Sequence, residues 1–420
     1  MNALRTQWRH ADLALAGRDA ELPCLAAMLD DDALSELVGE ALQVTRVRYK
    51  PHTSLLVAFL RTGKGGGSYG WALSTASNVK LEGRARSSAR SGGGVRLIRL
   101  PLPHTDAIMA VGGIEDDWAL RKNLRWLGEH GLERLGVAHA PGQGLLSGTT
   151  RVLRYKPERR LVLLAGSPDA PVVIKTAALP ADEDADLLFH QRLRRHGVPV
   201  LPRLSGEGLA RHGTSASPVW GDRDLTASAG PEGARLAGEA LARLHGMPSE
   251  VESGPATQSE ALRLQLEATC SMVVSLLPAL GPPAAKVADR IRRQLDGAPD
   301  GGTAAQVHGD FSADQVLVSG TDIRLIDFDR ARVGTPESDL GSFAAVEEIS
   351  HWRGTALTTQ HTQHLMEGYI EAGGRFTPPA VDAWAAVRFF ANIVDPFRDR
   401  RPEWAGEMSR HLERAQELIP

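Results

Sequence analysis

One stretch late in the chain places two acids and an amide at spacings that suit a reaction on phosphates. Asp310 follows a His-Gly pair, Gln315 comes five residues later, and Asp327 closes an apolar run that ends in Leu-Ile. Phosphoryl transfer uses a carboxylate to orient the attacking hydroxyl and oxygen ligands to hold Mg²⁺ on the nucleotide phosphates. We therefore predict that Asp310 is the catalytic carboxylate and that Gln315 and Asp327 are ligands of Mg²⁺.

A lysine upstream is placed to meet the same phosphates. Lys175 follows the apolar residues Val172–Ile174, which read as a strand, and is predicted to reach the α- and β-phosphates of the nucleotide. A carboxylate on the helix predicted after it would hold the lysine in place. Asp186 is the first choice for that carboxylate, and Glu183 is the second.

Two further residues near the catalytic loop are predicted to be structural. His308 is expected to bond to the backbone near the loop, and Asp339 is expected to brace the loop through backbone amides. No GxxxxGK[ST] pattern occurs in the sequence, so a P-loop has no support.

The overall composition narrows the class of protein. The 420 residues carry a formal net charge of only -3, and the chain has two cysteines and no apolar run near the ~20 residues that span a bilayer. We therefore expect a cytoplasmic protein with no nucleic-acid partner, no membrane partner and no disulfide framework. The length predicts two or three structural units rather than one core.

A short internal repeat lies in the first half of the chain. Arg-Val-Arg-Tyr-Lys-Pro at 46–51 recurs as Val-Leu-Arg-Tyr-Lys-Pro at 152–157, and each copy runs into an apolar segment. Both copies read as strand, proline-containing turn and strand. Continuing the alignment places Ser74 against Lys175. The first copy is therefore predicted to be a degenerate half-lobe without the phosphate-binding lysine, not a second active site.

Beyond about residue 150 the chain resembles the aminoglycoside phosphotransferase-like kinases, a family that also holds choline, homoserine, methylthioribose, maltose and glucosamine kinases. The segments that carry the resemblance are Val173–Lys175, Gly197–Val200, Leu241–His245, His308–Asp310, Ile326–Asp329 and Asp339–Leu340. The resemblance implies the same roles for Lys175, Asp310, Gln315 and Asp327. It also implies an adenine site at the hinge near Val219 and Trp220. Most of the family has Asn where this chain has Gln315, and the glutamine resembles the maltokinase and glucosamine kinase branch.

The predicted elements run from strands with one helix to mostly helices around a loop and a hairpin. Together with the resemblance, this order implies an α+β, protein-kinase-like two-lobe fold with a small β-rich N-lobe and a mostly helical C-lobe. We expect an additional N-terminal α/β cap over 1–145, the N-lobe and hinge over 146–222, and the C-lobe with the catalytic loop and acceptor pocket over 223–420.

The implied activity is Mg²⁺-dependent transfer of a phosphoryl group from ATP, with GTP as the alternative, to a hydroxyl of a small polyhydroxylated molecule. Aminoglycosides, amino sugars and related antibiotics or metabolites fit that description. A maltokinase-type sugar kinase and a catalytically weak pseudokinase are the rival readings, and a monomer or homodimer is expected. Side chains considered for the acceptor pocket are Asp224, Glu337, Glu348, Trp352, Arg388, Asp395 and Glu403. Carboxylates would suit a cationic acceptor, and aromatic or amide groups a neutral sugar.

Overall fold

The computed structural model describes most of the chain. The described residues are 10–63, 67–100, 106–138, 144–146, 148, 150–228, 230–248, 255–296, 304–355 and 357–419. Within two of the helices, the side chains of 183, 184 and 255–259 lie outside the description. In the described part of the chain, no helix is both long enough and apolar enough to cross a membrane.

The chain divides into two compact units. Unit 1 takes its described residues from 1–186, 203–219 and 395–405, and unit 2 takes its described residues from 187–202, 220–394 and 406–420. The predicted three-part division into cap, N-lobe and C-lobe stays a prediction.

Unit 1 contains two antiparallel sheets. One has five strands in the order β1-β2-β3-β5-β4, and the other has four in the order β6-β7-β8-β9. The strands of the first sheet are β1 Leu42–Lys50, β2 Ser54–Arg61, β3 Tyr69–Thr75, β4 Arg96–Arg99 and β5 Ile108–Gly113. Those of the second are β6 Arg151–Lys156, β7 Arg160–Ala165, β8 Val172–Ala177 and β9 Thr214–Pro218. One hydrophobic core draws residues from both sheets, including Leu56 and Trp71 from the first and Leu161 and Ile174 from the second.

Helices accompany both sheets. They are α1 Leu25–Leu29, α2 Asp31–Val38, α3 Asn78–Arg90, α4 Arg121–Trp126 and α5 Leu132–Arg134. The next helix, α6 Glu183–Arg195, begins in unit 1 and has most of its residues in unit 2. A late segment of the chain also belongs to unit 1 and includes the short helix α13 Asp395–Arg398. There Phe397 meets the ring of Tyr49 edge-on, with 6.2 Å between centroids. The buried carboxylate of Asp12 accepts from Arg400 at 2.6 Å and from the indole of Trp404 at 3.2 Å.

The first hairpin, β1–β2, is held by a buried aspartate. Asp19 Oδ2 accepts hydrogen bonds from the Tyr49 hydroxyl at 2.7 Å and from the His52 amide at 2.9 Å. His52 has a φ of 56°, a left-handed conformation that non-glycine residues rarely adopt. The aspartate therefore secures a strained turn as well as a strand.

The second hairpin, β6–β7, repeats this arrangement. Asp117 Oδ2 accepts from the Tyr155 hydroxyl at 2.8 Å and from the Glu158 amide at 2.7 Å. Glu158 also has a φ of 56°. Two turns that share a tyrosine, an aspartate acceptor and a left-handed residue support the proposed duplication beyond the sequence likeness.

The strand pairing corrects one detail of the predicted alignment. Leu56 and Val162 are equivalent, because each lies one residue past the partner of the hairpin tyrosine. Leu56 pairs with Leu73, whereas Val162 pairs with Lys175. The match of Ser74 to Lys175 is therefore wrong by one residue, because the Thr-Ala pairs that suggested it are out of step in the sheets. The residue equivalent to Lys175 is a buried leucine.

Unit 2 is mostly helical around short strands. Its strands are β10 Arg223–Asp224, β11 Ala305–Val307, β12 Val316–Ser319, β13 Asp322–Leu325 and β14 Arg332–Gly334. Its helices include α7 Pro231–His245, α8 Pro255–Leu276, α9 Gly281–Asp296, α10 Pro336–Trp352, α11 His361–Glu371 and α12 Pro378–Ala391, and the chain ends in α14 Trp404–Glu417. Helices α7 and α11 approach closely at Gly238, where a Cβ would clash with the carbonyl of Leu365. This close crossing positions two residues of the site described below.

Lys156, at the end of β6, carries a pKa shift with a consequence for stability. Burial and the neighbouring charges of Arg154, Arg46 and Arg160 lower its pKa to about 7, and Asp395 opposes only part of that effect. The unfolded chain therefore binds a proton at this lysine between about pH 7 and 10 that the folded protein largely lacks, so the folded state gains stability as the pH rises.

We expect Lys156→Met to flatten the pH dependence of the free energy of unfolding between about pH 7 and 9. One titrating proton contributes a slope of up to about 1.4 kcal/mol per pH unit. Urea unfolding at several pH values measures that slope. Lys50→Met, at the equivalent but exposed end of β1, is the matched control for losing a lysine at a hairpin. Equal slopes in the wild type and Lys156→Met would contradict the expectation.

Candidate active site

The loop that carries Asp310 leaves strand β11 through a turn that only glycine fits. Gly309 has a φ of 81°, and a Cβ there would clash with the carbonyl of Arg330. The turn presents the Asp310 side chain at the surface of unit 2, where it is 28% exposed. A carboxylate in that position can meet a ligand.

Asp339, on α10, holds this loop from beneath. Its carboxylate is fully buried and accepts hydrogen bonds from the amides of His308 at 2.6 Å and Gly309 at 2.8 Å. Burial by itself would raise the pKa of Asp339. The hydrogen bond and charge of His245, the charge of His308 and the amide bond outweigh burial and hold this pKa below its usual range. The prediction that Asp339 braces the loop through backbone amides is confirmed.

A histidine and a tyrosine complete the support of Asp339. His245, at the end of α7, lies with Nε2 3.1 Å from Asp339 Oδ2 and Nδ1 2.9 Å from the hydroxyl of Tyr369 on α11. Both residues come from the pair of helices that cross closely at Gly238. His245 belongs to a segment that carried the family resemblance, but its role was not predicted from the sequence.

His308 connects the loop that carries Asp310 to the strand that leads to Asp327. Its Nε2 lies 2.8 Å from the carbonyl of Ile326, and because a carbonyl can only accept, this nitrogen carries the proton. The His308 ring also packs against Phe328, with 4.6 Å between centroids. The expected structural role of His308, bonded to nearby backbone, is confirmed.

The hairpin β12–β13 brings the two predicted metal ligands to one end. Val316 pairs with Leu325, and the amide of Ile326 donates to the carbonyl of Gln315 at 3.0 Å. Gln315 and Asp327 therefore flank the same end of the hairpin. Asp327 has a φ of 64° and a ψ of 50°, a left-handed conformation that costs a non-glycine residue about 1 kcal/mol or more. Strain of this kind is concentrated at functional sites.

These two residues fit Mg²⁺ in chemistry and placement. Mg²⁺ prefers a small number of protein oxygens together with phosphate and water oxygens, and Gln315 and Asp327 offer one amide and one carboxylate. Both residues are partly exposed and flank the same end of the hairpin. Their role as metal ligands stays a prediction.

Two arginines meet Asp310, which the sequence did not indicate. Arg388, on α12, places Nη1 2.6 Å from Asp310 Oδ1, and Arg330 places Nη1 3.6 Å from the same atom. Arg388 is 19% exposed, whereas Arg330 is 63% exposed. The shorter, better-buried pair with Arg388 is less screened by solvent and is the stronger of the two interactions.

Lys175 and Asp186 are the other residues predicted to help bind the nucleotide phosphates, and each has described neighbours. Lys175 lies on β8, paired with Val162 on one side and Ser215 on the other. Asp186 lies 3.3 Å from Arg203. Neither observation tests a Lys175–Asp186 pair, and the side chain of Glu183, the second choice, lies outside the described residues.

The two residues predicted to lie at the hinge, Val219 and Trp220, have different neighbours. The amide of Val219, directly after β9, donates to the carbonyl of Pro171 at 2.9 Å. The ring of Trp220 lies 4.6 Å from the guanidinium of Arg324. An adenine site at these residues stays a prediction.

Several carboxylates considered for the acceptor pocket bind other groups. Glu348 lies 2.8 Å from Arg414, and Asp395 lies 3.2 Å from Arg398. Asp224 caps the short helix after β10 by accepting from the Thr226 amide at 3.0 Å. Among the residues considered for the acceptor pocket, Arg388 contacts Asp310.

We expect Asp339→Ala to loosen the catalytic loop and to lower the free energy of unfolding by about 3 kcal/mol, because it leaves buried donors without an acceptor. Hydrogen exchange measured by mass spectrometry should be faster in peptides that contain His308 and Gly309. Asp382→Ala, an exposed aspartate on α12, is the control and should leave that exchange unchanged. Unchanged protection of the loop in Asp339→Ala would contradict the anchoring role.

More than half of the sequence matches a known protein family. Residues 158–390, more than half of the chain, match the model of the APH family, described as the phosphotransferase enzyme family. None of the curated proteins matches the chain. The match confirms the predicted protein-kinase-like α+β fold class but does not single out the maltokinase and glucosamine kinase branch.

Solved structures give more distant likenesses. The spectinomycin phosphotransferase APH(9)-Ia, solved with ADP and spectinomycin, is 14% identical over 71% of this chain and 98% of its own, with a TM-score of 0.49. The amicoumacin kinase hAmiN is 12% identical over 64% and 89%, with a TM-score of 0.49. A choline/ethanolamine kinase family protein from Mesorhizobium loti is 18% identical over 68% and 93%, with a TM-score of 0.45. None of these likenesses assigns a substrate here. By the family match, this chain belongs to the phosphotransferase enzyme family.

Proposed function

We propose that this protein transfers the γ-phosphoryl group of ATP, in the presence of Mg²⁺, to a hydroxyl of a small polyhydroxylated molecule. GTP is the alternative donor. The observation that carries the proposal is the anchored loop: Asp339 and His308 hold Asp310 and the strand before Asp327 through buried hydrogen bonds. A reaction that depends on positioning needs this kind of rigid support.

In the proposed reaction, Asp310 accepts a hydrogen bond from the acceptor hydroxyl and orients its oxygen toward the γ-phosphorus. The bond from that oxygen to phosphorus forms as the bond from phosphorus to the bridging oxygen breaks, and ADP leaves. The hydroxyl proton passes to Asp310. Before an acceptor binds, Arg388 occupies Asp310 Oδ1, so the other carboxylate oxygen is the one available to the hydroxyl.

Gln315 and Asp327 would hold the metal, and Lys175 would bind the α- and β-phosphates. Mg²⁺ at this position would neutralise charge on the phosphates as the transfer proceeds. The left-handed conformation of Asp327 would aim its carboxylate at the ion.

One observation favours a catalytically weak nucleotide-binding module as the second candidate. The 2.6 Å contact of Arg388 with Asp310 would withhold the catalytic carboxylate if the arginine stayed in place during turnover. Turnover by the wild-type protein separates the two candidates.

We expect Asp310→Asn to lower kcat by about 10²-fold or more, because an amide cannot take the proton of the acceptor hydroxyl. Acceptor-dependent ADP release is measured across aminoglycosides, amino sugars and maltose-like sugars. Asp314→Asn, an exposed aspartate on the same loop, is the control and should keep wild-type turnover. Equal turnover in Asp310→Asn and the wild type would remove Asp310 from the mechanism.

We also expect Asp327→Ala to abolish the part of ATP binding that depends on Mg²⁺, because it removes the anionic ligand of the metal. Calorimetric titration of ATP with and without Mg²⁺ measures this difference. Asp322→Ala changes an exposed aspartate at the opposite end of the same hairpin and should leave the Mg²⁺ effect intact. If Asp327→Ala keeps the full Mg²⁺ effect, the metal site lies elsewhere.

A further inference from the structure

A cavity opens beside the catalytic loop, entirely within unit 2. Its volume is about 650 Å³, and its wall is formed by α8, α12, the start of α10, strand β14 and the catalytic-loop residue Gly309. A cavity of this size accommodates a small molecule. Its contact with the loop of Asp310 makes it the acceptor pocket in the proposed function.

The charged side chains of this wall are all positive. They are Arg330, Arg332 and Arg388, and the described lining residues include no aspartate or glutamate. The polar neutral residues include Gln265 and Ser342, and the hydroxyl of Ser342 already donates to the carbonyl of Phe311 at 2.9 Å. Even with the single negative charge of Asp310 counted beside the pocket, positive charge dominates.

The positions of these arginines leave donors for a ligand. Arg388 lines the cavity with 19% of its side chain exposed and holds Nη1 2.6 Å from Asp310 Oδ1, while its Nε is buried. Arg332 is exposed, and its side chain makes two long contacts with described residues, at 3.5 Å to the carbonyl of Gly309 and 3.4 Å to that of Arg330. Guanidinium groups bind carboxylate and phosphate oxygens through paired donors, so two arginines on this wall favour an anionic group.

A cationic acceptor does not fit this wall. Each ammonium group of an aminoglycoside would lose water and face guanidinium charges of the same sign, with no described lining carboxylate to compensate. Trp384, also in the wall, offers a flat apolar surface suited to a sugar ring. The pocket therefore combines an aromatic surface with donors for anions.

We infer that the acceptor is a hydroxylated molecule that also carries an anionic group, a carboxylate or a phosphate, bound by Arg332 and Arg388. This inference rests on the proposed function, because it takes the hydroxyl beside Asp310 as the site of transfer. The sequence left a cationic and a neutral acceptor open, and the inferred anionic acceptor differs from both.

The test uses matched sugars with one scaffold. Glucose is the neutral probe, glucosamine the cationic one, and glucuronate and glucose 6-phosphate the two anionic ones. Binding to the full-length protein is followed by calorimetry and by tryptophan fluorescence, with Trp384→Phe to assign the fluorescence change to this cavity. Acceptor-dependent ADP release is measured in parallel with the same four sugars.

The inference predicts that at least one anionic sugar binds at least tenfold more tightly than glucose or glucosamine. Arg332→Gln and Arg388→Lys should each reduce that preference about tenfold or more, and the stronger anionic probe tells a carboxylate site from a phosphate site. Arg332 is exposed, so its variant tests the idea even if a change at Arg388 disturbs folding.

Three results would overturn the inference. They are a preference for glucosamine, an anion preference unchanged in Arg332→Gln and Arg388→Lys, or displacement of the anionic sugar by a non-hydrolysable ATP analogue, which would assign the arginines to the nucleotide. Failure of the proposed function looks different: the anionic sugar binds and depends on both arginines, yet neither this sugar nor any other acceptor supports ADP release.

Discussion

The buried carboxylate of Asp339 is the constraint on which the candidate site depends. It accepts from two consecutive amides of the catalytic loop and from His245, which is held in turn by Tyr369. A buried charge is tolerated only when its hydrogen bonds are satisfied, so the loop and the two helices that supply the partners must keep their positions together. This network fixes the position of the loop that carries Asp310. The bond from His308 to the carbonyl of Ile326 connects that loop to the residue before Asp327.

Asp310 lies between a buried hydrogen-bond network and a group of arginine side chains. Below Asp310, the buried carboxylate of Asp339 is bonded to the amides of His308 and Gly309 and to His245. Above it, Arg388 and Arg330 contact the carboxylate, and the cavity alongside is lined by arginines. Membership in a phosphotransferase family does not decide the acceptor. In the function proposed above, the charge and shape of this wall would decide it.

Local spacing made the catalytic loop predictable. Asp310, Gln315 and Asp327 lie on one loop and one hairpin, so their neighbourhood follows from short-range geometry. The expected bracing role of Asp339 is seen in its bonds to the loop amides. The contact of Arg388 with Asp310 joins residues from a distant helix and could not be read from spacing. The sequence alignment matched Lys175 to Ser74, whereas the strand pairing matches it to Leu73. The prediction was wrong because a repeated motif does not fix the register of strand pairing.

Phosphorus NMR of a reaction that contains ATP, Mg²⁺ and an accepted sugar tests the central claim most directly. If the chain is a phosphotransferase that uses Asp310, a new phosphomonoester signal should grow in step with ADP while inorganic phosphate stays low, and both should vanish in Asp310→Asn. Inorganic phosphate in place of the phosphomonoester, or a phosphomonoester formed equally well by Asp310→Asn, would contradict the account.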